Sequence, residues 1–116
     1  MKNSSEEFLF GDSVKKEELG GGITRQILGY NDELMVVKVW FEDGSEGYVH
    51  KHRHSQVTYI VSGEFDVNVG GVIKRMAGGD CYFIPPDVEH GALCIKAGIL
   101  IDTFSPRRDD FLGDVA

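Results

Sequence analysis

Gly44-Ser45-Glu46-Gly47-Tyr48-Val49-His50-Lys51-His52-Arg53-His54-Ser55-Gln56, running on to Gly63, is the stretch on which the reading of this chain turns. Side chains alternate along a β-strand, so residues two apart share a face. On a strand, His50 and His52 point the same way, and Gln56 follows on the same parity. A second stretch, Gly79-Asp80-Cys81-Tyr82-Phe83-Ile84-Pro85-Pro86-Asp87-Val88-Glu89-His90, supplies another imidazole from far along the chain. Two imidazoles and an amide from one segment, with an imidazole from another, make a donor set for one divalent metal ion. Function is expected to sit there. His54 opens a competing register, His52, His54 and Thr58. Threonine is a poor ligand for a borderline divalent ion, whereas an amide oxygen is acceptable, and this favours His50, His52 and Gln56.

Outward from that stretch, the chain reads as short strands between turns. Residues 1–20 are polar and read as a short N-terminal arm, with at most a helical turn in Ser13–Leu19 before Gly20-Gly21-Gly22. Residues 21–116 read as one domain. Ile23–Tyr30 and Leu34–Phe41 are strands, and Gln56–Val61 leads through Ser62-Gly63 to Glu64–Val69. There Phe65, Val67 and Val69 alternate with Asp66 and Asn68, the pattern of a half-buried strand. Gly70-Gly71 is a hairpin turn into Val72–Met76. Cys81–Ile84, Gly91–Ile95 and Gly98–Phe104 complete the set. Without any sustained helical period, the chain is expected to be all-β, as a sandwich or closed barrel.

A chain of 116 residues is long enough to bury a core. Its net charge of -7 argues against a nucleic-acid partner, which needs a basic face. Cys81 and Cys94 lie in apolar runs and read as buried thiols in a reducing compartment. No segment has the length of a membrane span, and Met1–Glu7 has no apolar leader core. A cytoplasmic protein without a membrane partner is expected.

The spacing Gly44, His50, His52, Gln56, Gly63 resembles the first motif of the cupin superfamily, with Gln56 where glutamate is usual. Gly79, Pro85 and His90 resemble the second, with Asp87 where glycine is usual and Cys94 where asparagine is usual. Three further segments narrow the likeness: 27–35, 50–59 and 102–112 resemble the KdgF family of uronate-linearising cupins. The resemblance implies a small jelly-roll β-barrel and one divalent metal ion (Zn, Ni, Mn, Fe or Co) on His50, His52, Gln56 and His90. It implies an enzyme of pectin and alginate breakdown that converts 4,5-unsaturated monouronates to linear 4-deoxy-5-keto uronates, and a homodimer.

Asp102 sits in the apolar run Gly98–Phe104, where a carboxylate is costly unless paired or functional. Chemistry alone leaves general acid–base catalysis level with an ion pair to Arg107 or Arg108; the resemblance favours catalysis, with Phe104 in the same pocket wall. Arg108, or less strongly Arg75, is a candidate for the carboxylate of a small anionic sugar, since guanidinium matches carboxylate in a bidentate fork. Trp40, Phe65 and Tyr82 read as core, and His54 as structural. Two alternatives are a cupin dioxygenase-type oxidoreductase and a sugar-binding cupin without turnover. Neither the metal nor the pectin or alginate origin of the sugar is legible in the residues, and no organic cofactor is required.

Overall fold

The computed structural model describes residues 3–113. Residues 1, 2 and 114–116, the ends of the arm and of the domain as read from the sequence, lie outside the described residues. The strands are β1 (Glu17–Gly20), β2 (Ile23–Tyr30), β3 (Met35–Phe41), β4 (Glu46–His50), β5 (Ser55–Val69), β6 (Val72–Ala77), β7 (Cys81–Ile84) and β8 (His90–Ser105). Two 3-10 turns, Gly11–Ser13 and Asp109–Leu112, flank them, and the described residues contain no α-helix. The all-β cupin fold expected from the sequence is present.

Two expected interruptions do not occur. Gln56–Val61 and Glu64–Val69 are one 15-residue strand, and Gly91–Ile95 and Gly98–Phe104 lie within one 16-residue strand. β5 and β8 pair along their whole lengths, with register shifts between Ile60 and Phe65. These bulges let each long strand serve two sheets. The first half of β5 and the second half of β8 join β1, β2, β3 and β7; the other halves join β4 and β6. Gly63 has a positive φ of 89°, and a Cβ there would lie 2.6 Å from the Lys96 carbonyl oxygen. The glycine read as a turn is therefore a bend within a strand, made because no side chain fits between the two backbones.

The core follows the alternation. Along β3, Met35, Val37, Val39 and Phe41 are buried while Val36, Lys38 and Trp40 face outward. Ile60, Phe65, Val67 and Leu100 complete the interior from β5 and β8. At the N-terminus the sheet begins inside the arm: Glu17 and Arg25 are register partners and also an ion pair at 3.1 Å. The backbone of residues 17–20 completes the edge of β2 instead of forming the helical turn expected there. Gln26, buried on the outer face, donates to the carbonyls of Gly11 and Val14 and so pins the arm across β2. Cys94 is buried as expected, but Cys81 is exposed, because β7 turns Tyr82 and Ile84 inward.

Candidate metal centre

His50 ends β4 and is the register partner of His90, which opens β8. Their ring centroids are 4.4 Å apart. His52 is not on a strand: it lies in the loop between β4 and β5, with its ring 4.7 Å from His90. The strand-parity argument therefore gave the right pair for the wrong reason, since a loop supplies the convergence. That loop is held to the one before His90 by the Asp87 N–H, which donates to the His52 carbonyl at 2.8 Å. Asp87 has φ +63°, which explains why glycine suits this position and why aspartate, tolerant of the left-handed region, is an acceptable substitute. The ligand nitrogens of His50, His52 and His90 all fall within 4.8 Å of one another.

The tautomers follow from geometry. His50 Nδ1 faces the Tyr48 carbonyl at 2.8 Å, His52 Nδ1 that of His54 at 3.0 Å, and His90 Nδ1 that of Val88 at 2.9 Å. A carbonyl only accepts, so each Nδ1 carries the proton and each Nε2 presents a lone pair. Among the described residues, the buried His90 Nε2 has no hydrogen-bond partner. His52 Nε2 lies 3.0 Å from Gln56 Oε1, two acceptors face to face. Burial lowers the pKa of His52 and takes that of His90 down to about 4, so both imidazoles stay neutral at pH 7. An unpartnered buried nitrogen and an acceptor–acceptor contact call for something positive between them. The residues present fit a divalent cation.

A cavity of about 290 Å³ opens beside this cluster and is lined by His50, His90 and Gln56. One row across the inner face places Val37, Asp102, Thr58 and Tyr82 as successive cross-strand neighbours. Asp102 is not paired with Arg107 or Arg108. Its Oδ1 accepts from the Thr58 hydroxyl at 2.6 Å and from Gln56 Nε2 at 3.3 Å. Burial raises its pKa to about 6. Phe104 is buried next to it on the inner face, with its ring 5.7 Å from His52.

Arg108 lines the cavity with its side chain only 12% exposed and holds Asp110 through Nε at 3.1 Å and Nη2 at 3.0 Å. The guanidinium is thus committed to an ion pair with Asp110 and still reaches the cavity. Arg107 is turned away into ion pairs with Asp32 and Asp109. Arg75 is exposed on β6 and bonded to Asp66, outside the cavity.

Other residues fall differently from their sequence reading. Tyr82 packs on the core and also lines the cavity, its hydroxyl reaching Thr58 and its pKa raised by burial and by Asp102. Trp40 lies on the outer face under Lys16 and Lys38, whereas Phe65 is core. Arg25 was missed; it lines the cavity and sits 4.1 Å above Phe111, whose ring Arg108 also approaches at 4.2 Å. Its position on β2, with Ile23 and Ile27 on the same parity, is the signal that could have shown it inward. His54 is buried beside His52, its ring 5.4 Å away, and lies outside the three-histidine group.

Known proteins resemble this chain in sequence and in fold. The family profile described as "Cupin domain" matches residues 37–100. The "Pectin degradation protein KdgF" of Dickeya dadantii (strain 3937) is 41% identical over 107 residues, covering 90% of this chain and 97% of that protein. An RmlC-like cupin from Shewanella frigidimarina NCIMB 400 superposes with TM-score 0.93 at 61% identity, covering 95% of this chain and 99% of that one. The structure of KdgF from Halomonas sp. superposes with TM-score 0.87 at 35% identity, covering 92% and 99%. The chain belongs to the cupin family and, within it, to the KdgF family.

Proposed function

We propose that the protein is an enzyme that opens 4,5-unsaturated monouronates, released from pectin or alginate, to linear 4-deoxy-5-keto uronates. The observation that carries this reading is a carboxylate, Asp102, hydrogen-bonded to Gln56 within one cavity that His50 and His90 of the histidine cluster also line. The likeness to a protein named for pectin degradation supports the substrate class.

The reaction is an isomerisation and needs no oxidant. The hydroxyl proton on C1 leaves, the C1–O5 bond breaks, and its electron pair stays on O5. The resulting enolate takes a proton on C4, and C5 becomes a ketone. Asp102 takes and returns these protons as general acid and base. Phe104 keeps water from the face it covers and packs against the Arg108 guanidinium, 5.1 Å away. Arg108, with Arg25, which approaches the same Phe111 ring, receives the substrate carboxylate. His50, His52, Gln56 and His90 hold one divalent metal ion, which supplies Lewis acidity at an oxygen that gains charge.

The test is loss of the ultraviolet absorbance of a 4,5-unsaturated monouronate, measured against its spontaneous opening. Acceleration by the wild-type protein and none by the Gln56→Ala/His90→Ala variant is the expected result. A wild-type trace that overlays the spontaneous one overturns the reading.

The protein is further inferred to be a cytoplasmic homodimer. Among the described residues the arm is pinned across β2 by Gln26, while Val57, Tyr59 and Val61 of β5 and Phe83 of β7 are exposed. Val57 and Phe83 are register partners, so these side chains form one patch, and none of them is acidic. Copies of a chain with net charge -7 repel, and association is favoured through an apolar, acid-free face.

A further inference from the structure

A glutamine that ligates a cation has an orientation problem. Its amide oxygen and nitrogen have nearly the same shape, and only the oxygen is a donor to a metal. In this site the side chain reaches two groups on the side away from His52: Thr58 Oγ1 at 2.9 Å and Asp102 Oδ1 at 3.3 Å, both from Nε2. We infer that Thr58 is the positioning residue of the metal centre, whose hydroxyl turns the Gln56 oxygen toward His52 and ties the ligand to Asp102. The inference rests on the metal site proposed above and adds a residue to it.

Thr58 is fully buried, two residues beyond Gln56 on the same face of β5 and opposite Asp102 on β8. Its hydroxyl has one proton, and the 2.6 Å contact to Asp102 Oδ1 uses it. Asp102 as a carboxylate only accepts, which sets that direction. The hydroxyl oxygen is then left to accept, and the group it meets on Gln56 must be the NH₂. A flipped amide would place its oxygen 3.3 Å from a carboxylate oxygen and 2.9 Å from a hydroxyl whose proton is already committed. Both contacts are repulsive. Without the hydroxyl, only the longer bond to Asp102 opposes the flip. Groups that orient a ligand from behind are worth about tenfold to a hundredfold in metal affinity.

The experiment strips the full-length protein of metal and titrates Zn²⁺ against a chromogenic chelator. Wild type is compared with Thr58→Val, which keeps the shape and loses the hydroxyl. Thr58→Ser and Thr58→Ala form a second pair that loses the methyl alike and differs only in the hydroxyl, so the comparison survives if the valine variant does not fold. Thr58→Val and Thr58→Ala are expected to bind Zn²⁺ at least about tenfold more weakly, with Thr58→Ser within about threefold of wild type. Wild-type affinity in Thr58→Val, or equal weakening in Thr58→Ser and Thr58→Ala, overturns the inference alone. Failure of the wild-type protein to bind Zn²⁺ overturns the metal site together with it.

Discussion

At the scale of single residues, the site divides its work between two kinds of buried polar group. The histidines are fixed from behind by backbone carbonyls, so their orientation survives most side-chain substitutions nearby. Gln56 and Asp102 are instead fixed by each other and by Thr58. Asp102→Asn separates proton transfer from ligand positioning. The amide oxygen can still accept from Thr58 and Gln56 but the side chain cannot shuttle a proton, so turnover should fall about 10²–10⁴-fold while metal content, read by elemental analysis, stays at the wild-type level. Wild-type turnover in this variant removes Asp102 from the chemistry. At this scale the three clustered histidines were legible in the sequence because imidazole has few competing uses at such spacing. The partner of Asp102 was not, because Thr58 and the two arginines are equally plausible until register is known.

At the scale of elements, the long strands β5 and β8 are what bring the two motifs together. Gln56 lies near the start of one and His90 at the start of the other, and each strand crosses between the sheets at its bend. The crossing is tight: a Cβ at Gly98 would strike the Ser62 carbonyl oxygen and the Gly63 Cα. Gly98→Ala should therefore cost about 3 kcal/mol, the upper end of ordinary overpacking, because the obstacle is backbone and has no rotamer to change. Gly11→Ala, with nothing within 4 Å of the added methyl, should stay within about 0.5 kcal/mol of wild type. Urea midpoints compare the two, and equal midpoints would show that the bend tolerates a side chain. Strand content was legible from alternation. The continuity of β5 and β8 was not, because Ser62-Gly63 has the same local composition in a reversing turn as in a bulge.

At the scale of the whole molecule, the barrel gathers the histidine cluster and Asp102 toward its inside and leaves part of its outer face apolar. If that patch joins two copies, charges placed on it should separate them without touching the cavity. Tyr59→Glu with Phe83→Glu should shift the molar mass measured by light scattering from dimer to monomer. A wild-type protein that already runs as a monomer contradicts the homodimer. Both side chains point away from the site, so the metal affinity of the double variant should match that of wild type.

The sequence by itself determined the all-β character, the buried alternation of Phe65 and Val67 in β5 and the histidines that the fold gathers into one cluster, because each depends on residue chemistry and local period. Only the tertiary structure decided that His52 acts from a loop, that Asp102 answers to Thr58 and Gln56 rather than to arginine, and that Arg25 and Tyr82 face the cavity. Those facts are set by which strands lie side by side and in what register. Register is a property of the closed sheet, fixed by burial summed over many residues.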